Sequence, residues 1–312
     1  MKNAATLAAL TRLEESLSNR PSTRPVAQHD ARQLEIQLTS WPDEVRGVPN
    51  ITLRSALFGS SRSSSQTYLQ RAEIYTQRPT RMRYTGPRLD QGDLDVWITL
   101  LHIARRKTMG KSFKTSAYEL LKQQGKTDAG NNRKTLYKRL FRLAAATLEI
   151  SATRHSYTGG LVDSIYRDEI THELVISLNP ELSKLFGPNE FTHIDWSIRR
   201  SLNSKPLAQW LHGFLSSHAE PIPMSVDTIM LMAGSLDASP SSREQNLRRA
   251  LDALQLASDL HGQPFSYEIC GGLVHIKRTP SSSQSRHLGR KGSRSKRKID
   301  TVLSTRNYRT VG

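Results

Sequence analysis

The sequence predicts an α+β protein, and two observations support this prediction. Amphipathic helical patterns and alternating strand patterns follow one another in a single order, three helices and then a hairpin, and this order occurs twice. The net charge is +17 over 312 residues, an excess of cations that favours phosphate backbones as the binding partner. The length is that expected of about two domains.

The first copy of the order begins with a helix that Asp93 is predicted to cap, because apolar residues follow it at helical spacing: Leu94, Trp97, Ile98 and Leu101. The capping box Ser116-Ala-Tyr-Glu119 predicts a short second helix. After a polar turn, Asn132 is predicted to cap a third helix that runs to about Leu148. Alternating segments around Gly159-Gly160 and Thr171-His172 predict strands, the last from Glu173 to Leu178.

The second copy begins at Pro206, which suits a first helical turn and precedes an apolar stripe: Leu207, Trp210, Leu211, Phe214 and Leu215. Ser225 is predicted to cap a second helix that Gly234 ends, and the box Ser241-Ser-Arg-Glu244 predicts a third helix to about Asp259. A hairpin follows, because Phe265, Tyr267 and Ile269 alternate before Gly271-Gly272, a pair that accepts the positive φ of a tight turn.

The two copies also agree in spacing. Asp93 and Pro206 lie 113 residues apart, the second caps Ser116 and Ser225 lie 109 apart, and the third caps Asn132 and Ser242 lie 110 apart. Two helices, a turn, a third helix and a hairpin form the order of a winged helix-turn-helix domain. The full prediction is therefore an α+β chain of two tandem winged helix-turn-helix domains with a flexible N-terminal arm and a basic C-terminal tail.

Composition predicts the boundaries of these parts. Residues 1–40 are polar and interrupted by prolines, which predicts a mobile arm. Residues 41–188 are predicted to form the first winged-helix domain with its lead-in segment, and residues 189–280 the second. Residues 281–312 are rich in serine and strongly basic, which predicts a disordered tail. A serine-rich loop is also expected from Gly59 to Ser65.

The third helix of the first copy is expected to enter the major groove, since such a helix buries one face and exposes the other to DNA. Leu136, Leu140, Leu143 and Thr147 cluster on one side of it, and no acidic residue lies between Arg133 and Arg142. The candidate DNA contacts on this helix are Asn132, Arg133, Lys134, Tyr137, Lys138, Arg139 and Arg142.

The third helix of the second copy is expected to bury Leu247, Leu251 and Leu254. Its candidate DNA contacts are Ser242, Arg243, Gln245, Asn246, Arg248 and Arg249. Glutamine and asparagine pair with adenine and arginine with guanine, so this helix is expected to contact base edges. A solvated charged face is the alternative interpretation of both helices.

A few residues outside the helices are singled out as well. Arg154 near the first hairpin, and Lys277 and Arg278 at the end of the second, are candidates for phosphate or minor-groove contacts. The four tryptophans, Trp41, Trp97, Trp196 and Trp210, are expected in the core, and Cys270 is expected to be a small buried residue.

No catalytic residue, metal site or cofactor is predicted. The single cysteine excludes an internal disulfide and a cysteine zinc cluster. Gly110-Lys111-Ser112 resembles the end of a Walker A loop, but Arg105 occupies the position of its first glycine. No two histidines sit one residue apart, which argues against the metal site of rolling-circle nicking enzymes. No apolar run is long enough to cross a membrane, so no membrane partner is expected.

Several segments resemble a known family in the same order and with matching spacing. Trp41-Pro-Asp-Glu-Val-Arg-Gly-Val-Pro-Asn50, continued by Leu53-Arg-Ser-Ala-Leu-Phe58, resembles the segment that leads into the first domain of TrfA-type plasmid replication initiators. The similarity resumes at Tyr84-Thr-Gly86, Leu182-Ser-Lys-Leu-Phe-Gly187, Ile194-Asp-Trp196, Phe214-Leu-Ser-Ser-His-Ala-Glu-Pro-Ile-Pro223 and Leu273-Val-His-Ile-Lys-Arg278. It covers about residues 41–278.

The resemblance implies binding to directly repeated origin sites, called iterons, and opening of an adjacent AT-rich segment. It implies recruitment of host DnaA, the replicative helicase and the sliding clamp, and a monomer–dimer equilibrium in which the monomer is active. Gln33-Leu-Glu-Ile-Gln37 keeps only the start of the clamp-binding pattern of the family. A bacterial, cytoplasmic, plasmid-associated protein involved in plasmid copy control is expected.

Two other functions remain open from the sequence. A transcriptional repressor or partition protein would bind the same kind of DNA without melting it. A tyrosine nicking enzyme would instead leave a covalent tyrosine–DNA adduct.

Overall fold

Helices and strands alternate through the computed structural model, which describes residues 40–61, 67–77, 79–107, 111–151, 156–235, 239–282 and 284–289. These residues all lie within one compact unit, and their mixture of helix and strand confirms the predicted α+β class. The predicted arm with its clamp-like segment 33–37, most of the serine-rich loop, Gly110, Arg154 and the tail beyond residue 289 lie outside the described residues.

The lead-in segment is built mainly from strands. In chain order its elements are β1 (Val45–Pro49), α1 (Asn50–Leu53), β2 (Phe58–Gly59), β3 (Tyr68–Ile74), β4 (Arg81–Pro87) and β5 (Leu89–Asp90). None of these strands was predicted from the sequence. β2 and β5 form a short parallel pair, which brings the residues directly before the first predicted helix beside Phe58 and Gly59.

The first copy of the predicted order follows. Its elements are α2 (Gln91–Ala104), β6 (Phe113–Ser116), α3 (Ala117–Gln123), α4 (Gly130–Ala144), β7 (Thr147–Ser151), β8 (Ser156–Gly160), β9 (Ser164–Arg167), β10 (Glu173–Ser177) and a 3-10 helix (Pro180–Phe186). α4 ends at Ala144, four residues before the predicted end, because the chain turns there into β7.

The second copy contains β11 (Phe191–Asp195), α5 (Trp196–Ser201), α6 (Pro206–Ser216), β12 (Met224–Ser225), α7 (Val226–Met232), α8 (Pro240–Leu260), β13 (Phe265–Cys270) and β14 (Leu273–Arg278). β11 pairs antiparallel with β1, which ties the lead-in segment to the start of this copy. The predicted hairpin is confirmed, and both glycines of its turn have positive φ.

The duplication extends to strand pairing. The sheet order is β6-β10-β9 in the first copy and β12-β14-β13 in the second, and every pair is antiparallel. In each copy the strand before the second helix, β6 or β12, ends in a serine that caps this helix. The same serine pairs with the first residue of β10 or β14. The pairs are Ser116 with Glu173 and Ser225 with Leu273. The two copies therefore share one topology.

The first copy differs by an inserted hairpin. β7 and β8 leave the three-stranded sheet and join β3 and β4 in a separate antiparallel sheet of order β3-β4-β7-β8. Leu148 and Ile150 on β7 and Met82 and Tyr84 on β4 are buried on one face, and the exposed face is polar. The lead-in segment is thereby attached to the first copy.

Three predicted caps are wrong by two to three residues. Asp90 rather than Asp93 caps α2. Asp93 lies inside the helix, and its side chain accepts a hydrogen bond from the backbone N–H of Asp90, which completes the capping box. Ala129 precedes α4, so Asn132 lies inside the helix and donates to Thr127 instead. Ser239 caps α8, with Pro240 in its first turn, and Ser241 and Ser242 follow inside the helix. At α2 and α8 the true caps, Asp90 and Ser239, have the same local preference as the residues predicted, whereas Ala129 at α4 makes no side-chain cap hydrogen bond.

Two hydrophobic cores meet around one buried arginine. The first core extends from Trp41 to Trp196, and the second from Ile198 to Val274. Arg199 on α5 is fully buried between them and donates to Asp95 and Gln91 on α2 and to the Gln209 carbonyl on α6. All four tryptophans are buried, as predicted, whereas Cys270 is exposed, which corrects the expectation for that residue.

Candidate nucleic-acid interface

α4 and α8 occupy equivalent positions in the two copies. Each buries three leucines with the same spacing, Leu136, Leu140 and Leu143 in α4 and Leu247, Leu251 and Leu254 in α8, and each leucine of α8 lies 111 residues after its counterpart. α4 packs on α2 and α3, and α8 packs on α6 and α7. The same shift therefore identifies equivalent exposed positions on the two helices.

The solvent face of α4 carries two lysines and an aromatic residue. Lys134 and Lys138 are exposed one helical turn apart, and Phe141 lies one turn further along the same face with 71% of its surface exposed. No acidic residue occurs anywhere in α4. Phe141 was not predicted from the sequence, because apolar residues of this helix were expected only in the core, although position 141 falls outside the leucine stripe.

Arg142, a predicted DNA contact, is held by two carboxylates. Its guanidinium lies 2.7 Å from Asp93 and 3.2 Å from Asp90, both at the first turn of α2. Burial opposes the charge, but the two carboxylates outweigh it and raise the pKa of Arg142. This side chain therefore joins α4 to α2 inside the protein rather than standing free toward a groove.

Arg139 also points inward. Its guanidinium lies against Gly92 in the first turn of α2, where a side chain on that residue would overlap it. A larger residue at position 92 would displace the end of the Arg139 side chain from this place. Arg139 and Arg142 together cover the beginning of α2 from the side of α4.

The beginning of α4 is fixed by local polar contacts. Arg133 forms two hydrogen bonds with Asp128 at 2.5 and 2.6 Å, and this pairing raises the pKa of Arg133. Asn132 donates to Thr127 at 2.8 Å. The Arg167 guanidinium of β9 stacks over the Tyr137 ring at 4.7 Å, so the strand contacts the helix. Arg133 stays at the surface, where an ion pair is easily exchanged for a phosphate.

The solvent face of α8 has a different chemistry. Gln245 and Arg249 are exposed at the positions equivalent to Lys134 and Lys138, and Ser242 is exposed one turn earlier. Arg243 pairs with Asp227 and Arg248 with Glu244, each at 2.8 Å, and Asn246 is partly buried. The face therefore offers an amide and a guanidinium, the two groups that pair bidentately with adenine and guanine.

The two basic residues at the end of β14 differ in exposure. Lys277 is exposed, whereas Arg278 is partly buried and donates to the carbonyl of Leu215 at the end of α6. Burial lowers the pKa of Arg278. Residues 284–289, expected in the disordered tail, are helical, and Gln284 donates to the carbonyls of Ser216 and His218. This part of the predicted tail is thus attached to α6.

Within the described ranges, no group of three or more histidine, cysteine, aspartate or glutamate side chains is placed to hold a metal ion. Among the helices that the structure describes, none has both the length and the apolar character to span a lipid bilayer.

Comparison with known proteins identifies the family. The model of the TrfA protein family matches residues 24–278. Over 267 residues the chain is 29% identical to a plasmid replication initiator protein TrfA from Escherichia coli, a match that covers 80% of this chain and 68% of that protein.

Two solved structures give a TM-score below 0.5. A crystal structure of domains 2 and 3 of RctB has a TM-score of 0.49 at 13% identity and covers 71% of this chain and 95% of that one. The Pi initiator protein, solved in complex with iteron DNA, has a TM-score of 0.43 at 12% identity and covers 60% of this chain and 91% of that one.

The family match spans most of the chain, and the protein belongs to the TrfA family.

Proposed function

We propose that this protein is a plasmid replication initiator that binds directly repeated origin sites, or iterons, and opens the DNA beside them. The observation that carries the proposal is membership of the TrfA family over residues 24–278. The charge of +17 and the acid-free surface of α4 support a DNA partner.

Each copy of the repeated topology is proposed to be a winged helix-turn-helix domain. In support, the corresponding helices α2–α4 and α6–α8 each accompany an antiparallel sheet in which the strand before the second of these helices pairs with the last strand. α4 and α8 would then be the recognition helices, and β9–β10 and β13–β14 the wings. The domain boundaries 41–188 and 189–280 belong to this proposal; two separate cores support two domains, although the cores divide between Trp196 and Ile198, after the proposed boundary.

The DNA contacts are proposed to fall into two groups. The exposed cations Lys134, Lys138 and Lys277 would contact phosphates, and Arg133, Arg243 and Arg248 could exchange their surface carboxylates for phosphates. Gln245 and Arg249 would contact base edges together with Ser242 and Asn246 on α8, and Asn132 and Tyr137 would contact base edges from α4. Arg139, Arg142 and Arg278 would position these elements from inside the protein.

The remaining properties of an initiator are proposed from the family. They are recruitment of host DnaA, replicative helicase and sliding clamp, a monomer–dimer equilibrium, and a site of action in the bacterial cytoplasm. The protein is proposed to act by binding rather than by catalysis. A repressor or partition protein is the second candidate, since it would use the same helices on the same DNA.

Permanganate probing separates these functions, because it oxidises unpaired thymines. On a supercoiled plasmid carrying the origin, with host DnaA present, the protein should make the AT-rich segment reactive. The double substitution Lys134→Ala with Lys138→Ala should abolish this reactivity, and Lys184→Ala, which removes a lysine paired with Glu181, should not. Occupied repeats without reactive thymines would indicate the repressor or partition protein. A covalent tyrosine–DNA adduct would indicate the nicking enzyme.

A further inference from the structure

Phe141 is an apolar group on a charged surface. Among the described residues it is the most exposed aromatic side chain, at 71%, and it belongs to the same helical face as Lys134 and Lys138. The opposite face of α4 already supplies the core through Leu136, Leu140 and Leu143. Phe141 therefore contributes little to holding α4 against the protein.

The surroundings of Phe141 determine which partner could cover it. A protein partner would have to place acidic groups against Lys134 and Lys138 and an apolar group against Phe141, one turn further along. The major groove of DNA supplies both features in fixed geometry, since phosphates line its edges and the C5 methyl group of each thymine projects from its floor. Phenylalanine is among the side chains that contact this methyl group.

We propose that Phe141 contacts the C5 methyl group of a thymine in the half of the repeat that α4 occupies, and thereby sets a preference for thymine there. This inference rests on the proposed function. It goes beyond it by assigning one base preference to one side chain.

The preference belongs to one half of the repeat. The position of α8 equivalent to Phe141 is Asp252, which accepts a hydrogen bond from the Tyr267 hydroxyl group. An aspartate offers no apolar contact to a methyl group. The half of the repeat bound by α8 is instead determined by Gln245 and Arg249.

Uracil substitution tests the inference, because uracil pairs like thymine and lacks only the C5 methyl group. The probe is a duplex carrying one repeat from the plasmid's own origin, with thymine replaced by uracil at one position at a time. For the full chain, binding should weaken about 4-fold at the contacted position, the value of one buried methyl group. The Phe141→Ala variant should bind the thymine duplex more weakly than the wild type does, by a similar factor or more. It should bind the thymine and uracil duplexes equally well.

Two control variants keep the test specific. Phe141→Leu retains an apolar side chain and should keep most of the sensitivity to uracil. Tyr68→Ala removes another exposed aromatic residue, on β3, and should keep all of it. Thermal unfolding of each variant shows that the fold is intact, as expected for side chains that make little contact.

The outcomes separate this inference from the proposed function. A wild-type protein that binds the repeat no better than random DNA contradicts the proposed function. A protein that is specific for the repeat but indifferent to uracil, or a Phe141→Ala variant as sensitive to uracil as the wild type, contradicts the role of Phe141 alone.

Discussion

The buried arginine between the two cores gives the sharpest prediction about stability. Arg199 is fully buried and lies 2.6 Å from an Asp95 oxygen, 3.0 Å from the Gln91 side chain and 3.1 Å from the Gln209 carbonyl. Arg199→Met fills much of the same volume but removes every one of these donors. Asp95 is then left as a buried carboxylate whose hydrogen bond with the Gln209 amide is long, at 3.4 Å, and the charge of Lys126 nearby compensates it only in part.

Removing one partner of a buried ion pair costs about 3–5 kcal/mol, because the other charge stays buried without compensation. The free energy of unfolding of Arg199→Met should therefore fall by this amount, measured by urea denaturation at pH 7. The neighbouring Arg200 is exposed, so Arg200→Met is a matched control that should change stability by less than about 0.5 kcal/mol.

A double substitution distinguishes the loss of the ion pair itself from the cost of leaving the Asp95 carboxylate buried without its partner. Asp95→Leu with Arg199→Met removes both charges and should recover at least half of the loss, since apolar replacement of a buried pair is often neutral. A loss below about 1 kcal/mol for Arg199→Met, or no recovery in the double variant, would refute the reasoning that this ion pair joins the cores.

Three further predictions concern DNA binding and acid stability. Lys138→Ala should weaken binding to specific and to random DNA by similar factors. Gln245→Ala or Arg249→Ala should instead relax the base preference in one half of the repeat by about 1–3 kcal/mol per base contact. Competition with single-base variants of the repeat measures both effects. If these effects were exchanged, the assignment of the two helix faces would be wrong. Binding through about 8 phosphates should give a slope near −7 in a plot of log affinity against log salt, and a slope shallower than about −3 would mean that most of the basic surface does not contact DNA. Burial lowers the pKa of His212 to about 3 in the folded protein, whereas the same histidine in the unfolded chain takes up a proton near its ordinary pKa of 6.5. The folded protein therefore loses stability as the pH falls from 6.5 toward 3. His212→Leu should remove about 2 kcal/mol of this loss at pH 5, and urea denaturation showing equal losses for variant and wild type between pH 7 and pH 5 would exclude the histidine as its source.

Local patterns predicted much of the helical structure. Ser116 and Ser225 were identified as caps because each begins a short amphipathic helix, and the leucines of α4 and α8 because their spacing follows the helical period. The caps Asp93, Asn132 and Ser241 were misplaced, since Asp90 and Ser239 have the same preference a few residues earlier.

The long-range contacts could not be predicted in this way. The pairing of β4 with β7 joins segments separated by three helices, and no local pattern links them. Arg142 resembles Lys138 in sequence, and only the fold brings Asp90 and Asp93 to it. Arg199 and Arg200 are adjacent and identical, yet one is buried and the other exposed, because burial depends on how α5 packs between the cores.

Footprinting of the plasmid's own origin shows whether one chain engages two neighbouring major grooves. If one chain carries two recognition helices, a monomer can occupy two successive major grooves whose centres lie about 10–10.5 bp apart. We expect direct repeats, each of about 20 bp and without two-fold symmetry, and each protected by one monomer. A single palindromic site occupied by an obligate dimer would contradict this expectation.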